Sequence, residues 1–305
     1  MANKHANLDS LFNDIADAIR EKIGDESIIP AVDFPDLIRD RLEVIKKPYL
    51  TFKSPSSFTL AVKDSGKHWD GTLEYSNDVS TWSTWDGTTV LSSAIKGSSN
   101  VLYLRGTGNT IITGNNLNYR WVLTGSNIKC IGNIENLLDY ATVQSGNHPT
   151  MANYCYYNMF QGCTALTRAP ALPATTLADD CYSDMFNRCT SLIKAPSELP
   201  ATTLAESCYR FMFEFTAITA IPRIMATTYA TDSCKGMFDD VKTLNVYSSS
   251  GEGHTYGWTA PASTYCSVMF GSDDGESEWA KLDGSNFPNS GTPTEGVTYY
   301  FATVD

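Results

Sequence analysis

Eight cysteines carry the most reactive side chains of this 305-residue sequence, and their spacing is regular. Five of them follow one another at intervals of 26, 27, 26 and 32 residues, namely Cys155, Cys181, Cys208, Cys234 and Cys266. There is no C-x2-C pair of the zinc-binding kind, and within a repeat the separation is eight residues, as between Cys155 and Cys163. A cysteine that recurs once per repeat is typical of a small buried side chain in a stacked core. We therefore expect reduced, buried thiols, with disulfide bonds and a metal site as the alternatives.

The other residue types that carry chemistry form no recognisable catalytic or ligand-binding motif. None of the four histidines belongs to an H-E-x-x-H motif: His5, His68, His148 and His254. The sequence also lacks a G-x-S-x-G elbow, a P-loop and a G-x-G-x-x-G that opens a helix. The acidic run 271–278 has the oxygen density of a calcium site but not the spacing of an EF-hand loop, so a solvated loop is favoured. We predict no catalytic residue, no metal site and no cofactor, and hence no enzyme.

The acidic composition of the chain argues against nucleic acids and membranes as partners. Acidic residues outnumber basic ones by 34 to 22, and the net charge of −12 repels phosphate backbones and anionic lipid. We expect neither a nucleic acid nor a membrane as the partner, and no apolar run approaches the roughly 18 residues of a spanning helix. Residues 1–22 lack the continuous apolar core of a signal peptide, which predicts a chain that is neither exported by the general route nor anchored by lipid.

The first 47 residues predict two short amphipathic helices. Their apolar residues follow helical spacing: Leu8, Leu11, Phe12, Ile15, Ile19 and Ile23 in the first, and Phe34, Leu37, Ile38, Leu42 and Ile45 in the second. Two such helices bury too little apolar surface to be stable alone. Their apolar stripe must pack either on the following domain or on another protein or copies of itself; the second interpretation is favoured. Its interface residues would be Leu8, Leu11, Phe12, Ile15, Ile19, Phe34, Leu37 and Ile38.

The run LDSLFNDIADAIREKIGDESIIPAVDFPDLIRDRL at 8–42 resembles the N-terminal segment of many phage and prophage virion proteins, often tail or fibre components. The resemblance implies that this segment attaches the chain to other virion proteins. It also implies assembly in the host cytoplasm, location in the virion and a homo-oligomer, for which the family expectation is a trimer.

From residue 48 to 125 the sequence is typical of a β-sandwich. Short β-rich runs separated by turn residues occupy 49–52, 58–62, 72–75, 101–105 and 121–123. The stretch 74–82 resembles the Asp-box turn of β-propeller glycosidases, which also occurs in modules without activity. We expect a structural role, in which Asp78 accepts hydrogen bonds from the amides of its own turn and Trp82 packs behind it.

Residues 126–275 repeat themselves. CYYNMF at 155–160 returns as CYSDMF at 181–186 and CYRFMF at 208–213, and LPATTL at 172–177 returns at 199–204. Repeats this short cannot bury their own apolar face, so neighbours must stack into a solenoid. The spacing of Leu177, Cys181 and Met185 predicts a short helix over 178–186, and 166–170 and 192–196 read as short parallel strands.

The repeat consensus resembles the BspA-like leucine-rich-repeat proteins of gut bacteria and their phages. That resemblance implies a recognition or scaffold surface. As a whole, the sequence predicts a multidomain, mainly β chain with short helices: an N-terminal α-hairpin (1–47), a β-sandwich (48–125), a BspA-like leucine-rich-repeat solenoid (126–275) and a C-terminal cap (276–305).

Three functions are compatible with this organisation. The favoured one is a virion structural protein of a bacteriophage, as a fibre, tail or capsid-decoration component, whose repeats contact a host surface protein or glycan for host attachment, or neighbouring subunits. The alternative is a bacterial BspA-like cell-surface adhesin, which would need an export signal. A glycan-degrading enzyme would need paired carboxylates on facing loops, which nothing in the sequence favours.

Overall fold

The computed structural model describes residues 47–271, 281–282 and 291–304. The predicted helical hairpin and its eight interface residues (Leu8, Leu11, Phe12, Ile15, Ile19, Phe34, Leu37 and Ile38) lie outside these ranges, as does most of the acidic run 271–278. The described part of the chain is mainly β with few helices. None of its helices is long and apolar enough to cross a membrane.

The first half of the described chain is built from short strands. They are β1 (Leu50–Ser54), β2 (Thr59–Val62), β3 (Thr72–Ser76), β4 (Ser83–Trp85), β5 (Leu91–Ser92), β6 (Ala94–Lys96), β7 (Ser99–Thr107), β8 (Trp121–Thr124) and β9 (Ile128–Ile131), with a 3-10 helix at Leu117–Tyr119. All five predicted β-rich runs coincide with strands, which confirms the interpretation of their alternating pattern.

The second half contains fewer and shorter elements. They are α1 (Asn136–Gln144), β10 (Leu166–Arg168), β11 (Glu198–Leu199), β12 (Arg223–Ile224), β13 (Asn245–Val246), β14 (Tyr256–Thr259), α2 (Ser263–Cys266), β15 (Lys281–Leu282) and β16 (Thr298–Phe301). Of the predicted strand at 166–170, the structure has Leu166–Arg168 as β10, which pairs in parallel with β9. At 192–196 the structure has a single parallel bridge, between Arg168 and Lys194.

The early strands form two sheets whose aromatic residues meet. One sheet has the order β10-β9-β1-β7-β3-β4, with β6 also paired to β7, and the other has the order β5-β2-β8. Phe52 on β1 and Trp85 on β4 belong to the first sheet, and Trp121 on β8 belongs to the second. The ring centroid of Trp121 lies 6.4 Å from that of Phe52 and 5.4 Å from that of Trp85. These large buried rings supply much of the apolar area that stabilises the pair of sheets.

The core of the two sheets continues without a break into the first repeat. Phe160 lies 6.1 Å from Phe52 and 6.0 Å from Trp121, measured between ring centroids. The backbone joins as well, because the Trp121 amide donates to the Met159 carbonyl at 2.8 Å. β9 also pairs in parallel with β10, and the described residues belong to one compact unit. The two sheets therefore cover the end of the repeat array that would otherwise expose apolar rings.

The predicted helix over 178–186 is wrong, because this segment is a series of tight turns. A helix requires each amide to donate four residues back. Here the Met185 amide donates three residues back, to Tyr182 at 3.2 Å, while the Tyr182 amide donates to Cys208 in the next repeat at 3.0 Å. Every fourth residue has a left-handed backbone, with φ of 55° at Asp180 and 56° at Asp184. The amides are thus shared between the turns and the neighbouring repeat.

Buried side chains form columns that run from one repeat to the next. Phenylalanine rings stack at centroid distances of 5.5–5.7 Å along Phe160, Phe186, Phe213, Phe238 and Phe270. A tyrosine column runs parallel to them through Tyr156, Tyr182 and Tyr209. All eight cysteines are buried, which confirms the predicted position of their side chains in the core. Repeating the same apolar residues at the same turn positions thus closes the interior that no single repeat could close.

Candidate functional site

The surface of the repeats carries a concave cleft of about 560 Å³. Its walls come from three consecutive repeats: Tyr154 and Tyr157 from the first, Asp180 and Asp184 from the second, and Glu206, Ser207, Arg210, Phe211 and Glu214 from the third. Four carboxylates therefore face one guanidinium and three aromatic rings. This is the candidate functional site, which we call the acidic cleft.

The register between repeats determines which residues meet in the acidic cleft. The Asp180 amide donates to the Glu206 carbonyl at 2.9 Å, and the Asp184 amide donates to the Arg210 carbonyl at 2.8 Å. Asp180 and Asp184 occupy left-handed positions, as do Ser207 and Phe211 in the following repeat. The left-handed residue or the one before it is exposed in some turns, as at Glu206, and buried in others, as at Asn158 and Ser183. The turn geometry and the inter-repeat hydrogen bonds together place the side chains of the acidic cleft side by side.

Two of the carboxylates accept hydrogen bonds from buried polar side chains. The Asn187 amide nitrogen donates to Asp184 Oδ1 at 2.9 Å and also to a carboxylate oxygen of Glu214 in the next repeat. The Ser183 hydroxyl donates to Asp184 Oδ2 at 3.0 Å. Both Asn187 and Ser183 are buried, so they are ordered by packing. Their hydrogen bonds fix the positions of two acidic groups before any ligand binds.

The negative charge of the acidic cleft is only partly compensated. Partial burial raises the pKa of Asp180 above its usual value, against the attraction of Arg210. Burial raises the pKa of Asp184 as well, although Ser183, Asn187 and Arg210 all favour its charged form. The negative charge of Asp180 in turn raises the pKa of Tyr154. A further positive charge in the cleft would therefore be stabilised.

The aromatic residues form the walls of the acidic cleft. Tyr154 and Tyr157 meet edge to face, with centroids 5.7 Å apart, and both remain partly exposed. The ring of Phe211 lies next to Gly236 of the following repeat, where an added Cβ would be 2.2 Å from two of its ring carbons. Gly236 has φ of 59° and so combines the left-handed turn with room for that ring. Because Gly236 has no side chain, it leaves the space that the Phe211 ring occupies.

Two polar groups of the acidic cleft have no hydrogen-bond partner within the described residues. The buried Nε of Arg210 makes no hydrogen bond, and its guanidinium carbon lies 5.1 Å from the Phe211 ring centroid. Ser207 is only 7% exposed, lines the cleft and forms its hydrogen bonds through its backbone alone. Polar groups in proteins are normally paired, so the Ser207 hydroxyl is available to a ligand, whereas Arg210 Nε is enclosed by the protein.

The Asp-box-like turn contains the backbone hydrogen bonds to Asp78 that the sequence predicts. Asp78 Oδ1 accepts hydrogen bonds from the amides of Ser80 and Thr81, both at 2.8 Å. These bonds hold the pKa of Asp78 well below its usual value. The indole of Trp82 donates to the Val79 carbonyl at 3.2 Å and packs against the Arg105 guanidinium. The Asp78 carboxylate is thus occupied by its own turn.

Another ionisable pair lies next to α1. Glu135 is 1% exposed, and His148 Nδ1 lies 2.9 Å from its Oε2. Burial raises the pKa of Glu135, while the hydrogen bond from His148 acts in the opposite direction. The tyrosine column begins beside this pair, since the Tyr156 hydroxyl donates to the Ile134 carbonyl at 3.2 Å. This pair links α1 to the loop that leads into the repeats.

The candidate residues from the sequence are not brought together in the acidic cleft. His68 stacks on Tyr119 and His254 on Tyr247, so these histidines lie in separate places. Within the described ranges, no three His, Cys, Asp or Glu side chains are grouped to hold a metal ion. Sequence reasoning missed the cleft, and aligning the repeats gives no consistent signal for it, because Asn158, the equivalent of Asp184 in the preceding repeat, is fully buried.

Comparison of the chain with protein-family models, with curated proteins and with solved structures finds no match.

Proposed function

We propose that this chain is a non-enzymatic structural protein of a phage virion, a fibre, tail or capsid-decoration component. In this proposal the N-terminal segment attaches the chain to other virion proteins and forms a homo-oligomer. Residues 48–125 form a β-sandwich, and residues 126–275 form a leucine-rich-repeat solenoid of the BspA-like kind. The solenoid presents a surface to a protein or glycan, on the host cell or on neighbouring subunits.

The observation that carries this proposal is the continuous stacking of the repeats beneath an open cleft. Phe160, Phe186 and Phe213 stack with ring planes within 9° of one another, and successive repeats are joined by backbone hydrogen bonds. Such stacking gives a rigid support, and the side chains of three repeats then act as one preformed surface. Preformed surfaces lose little conformational entropy on binding, which suits recognition.

The structural role is further supported by how the carboxylates of the acidic cleft are held. The amide nitrogen of the buried Asn187 donates hydrogen bonds to the carboxylates of both Asp184 and Glu214. These bonds favour a constant position of the two carboxylates over a role in proton transfer. A fixed acidic surface on a rigid support fits a binding module.

Attachment through the N-terminal stripe can be tested in particles. Leu11→Asp with Ile15→Asp places two charges on the apolar stripe, whereas Ser10→Asp with Asn13→Asp places the same charges on the polar face of the predicted helix. Particles purified from a host that expresses each variant are assayed for the protein by quantitative mass spectrometry. We expect the stripe variant to fall to about a tenth or less of wild-type incorporation, since burying unpaired charge at an interface costs more than 1.4 kcal/mol.

The matched variant should be incorporated normally. Equal incorporation of both variants would contradict the attachment role of the stripe. Recovery of wild-type protein in the cell envelope but not in particles would instead favour the adhesin alternative.

A further inference from the structure

We propose that the acidic cleft binds a basic side chain, lysine or arginine, presented by a segment of a protein partner. This inference names a ligand class for a particular surface and goes beyond the virion role. Its test uses the purified full-length chain, so its outcome does not depend on whether the protein is incorporated into particles.

Charge favours a cation. The cleft is lined by Asp180, Asp184, Glu206 and Glu214, against the single positive charge of Arg210. Residues 151–305 as a whole contain 17 acidic and 8 basic residues, so the surroundings attract positive charge too. Since Asp184 is pinned by Ser183 and Asn187, a cation would meet an acidic group that is already oriented. Preorganised carboxylates bind cations without a further ordering cost.

The aromatic walls favour an organic cation on a chain over a small inorganic ion. The exposed lining of the acidic cleft is mainly polar, and Tyr154, Tyr157 and Phe211 are among the residues that can supply its small apolar part. An ammonium or guanidinium over such a ring gains about 0.5–2 kcal/mol. The methylene stem of a lysine or arginine side chain can lie along the same apolar surface. An inorganic cation has no apolar stem to cover the rings, and no metal-holding group of side chains occurs in the described residues.

Ser207 is the second, independent indication of a ligand. It is 7% exposed, lines the cleft and makes no side-chain hydrogen bond within the described chain. Its hydroxyl oxygen can accept an N–H of an entering ammonium or guanidinium group. The guanidinium of Arg210, which also lines the cleft, can donate to a backbone carbonyl of the same segment. A peptide segment supplies both a cation and carbonyl groups, which matches this hydroxyl and guanidinium.

The size of the cleft agrees with this ligand. Its volume of about 560 Å³ falls within the roughly 300–1,000 Å³ of pockets that enclose drug-sized molecules. It therefore has room for one long side chain together with part of the backbone on either side.

The test measures binding of a fluorescein-labelled peptide of three Gly-Lys pairs to the purified protein, by fluorescence anisotropy at low ionic strength. The cleft variant is Asp180→Asn with Glu206→Gln. The matched control is Glu198→Gln with Glu252→Gln, which removes the same charge from exposed positions outside the cleft. Asparagine tolerates the left-handed backbone of Asp180, so the cleft variant should fold. Circular dichroism of both variants checks this.

Each lost charge pair should weaken peptide binding up to about fivefold, so we expect the dissociation constant of the cleft variant to rise at least about tenfold. The dissociation constant of the control should stay within about twofold of wild type. Tyr157→Leu should weaken binding about threefold through the loss of its ring. Equal effects of the cleft and control variants would overturn the proposal, because binding would then follow net charge alone. Absence of peptide binding, or tighter binding of maltohexaose than of the peptide, would overturn it as well.

Discussion

Removing one ring from the middle of the phenylalanine column should destabilise the chain far more than removing a ring from the surface. Phe186 is fully buried, and its ring centroid lies 5.7 Å from that of Phe160 and 5.5 Å from that of Phe213. Truncation of a buried phenylalanine to alanine costs about 3–5 kcal/mol. The two lost stacking contacts, about 0.5–1.5 kcal/mol each, place Phe186→Ala near the upper end of that range.

The control is Phe215→Ala, a truncation of the same residue type in the next repeat. Phe215 is half-buried, and its closest ring contact is the Arg188 guanidinium carbon at 4.4 Å from the centroid. Loss of an exposed cation–π contact costs about 0.5–1 kcal/mol. The two variants should therefore differ by at least about 2 kcal/mol in free energy of unfolding.

Guanidinium denaturation measures this difference by linear extrapolation. Far-UV circular dichroism follows the whole chain, whereas four of the six tryptophans, at 69, 82, 85 and 121, report on the two sheets. Because the core is continuous through Phe160, both signals should move together in Phe186→Ala. Equal losses for the two variants would refute the stacked column as a source of stability. An unchanged tryptophan transition would refute the continuity of the core.

Two further predictions concern buried groups. Cys181→Asp should lower the free energy of unfolding by about 3–5 kcal/mol, because it buries an unpaired charge where burial raises the thiol pKa to about 12; a melting curve like that of the wild type would contradict this. Glu135→Gln should flatten the dependence of the free energy of unfolding on pH. Because the pKa of Glu135 is raised in the folded state, its protonated carboxyl contributes to stability fully below pH 4.5, and this contribution is lost as pH rises through the folded-state pKa. Melting temperatures from pH 4.5 to neutral pH test this, and a variant that loses as much stability as wild type over that range would contradict it.

The sequence predicts those parts of the fold whose pattern is local. β2 alternates buried with partly buried residues, and β7 contains a run of buried residues. Both patterns can be recognised without knowing the partner strand. The cysteines were correctly assigned to the core because they recur once per repeat. The acidic cleft could not be predicted in the same way, since its side chains meet only through the register between repeats. The pairing of Asp184 with Arg210 is a property of that register.

The wrong helix over 178–186 shows how close the two patterns are. Leu177, Cys181 and Met185 repeat every four residues, and over two or three turns this is nearly indistinguishable from the 3.6 residues of a helix. Residue type at the left-handed positions is only a partial signal. Asp180, Asp184 and Gly236 belong to the types that tolerate positive φ, but equivalent positions at the same spacing hold Tyr154, Arg188, Phe211 and Phe215.

The same turn geometry that excludes the helix also creates the surface. A helix would satisfy its amides internally and leave neighbouring repeats joined by side chains alone. In this chain the Tyr182 amide is released to bond the Cys208 carbonyl, so adjacent repeats are locked in register. That register repeats the outward positions one above another, which aligns Asp180 with Glu206 and Ser207. Buried columns and the acidic cleft are therefore two consequences of one four-residue turn, and sequence changes at outward positions can alter the ligand without disturbing the core.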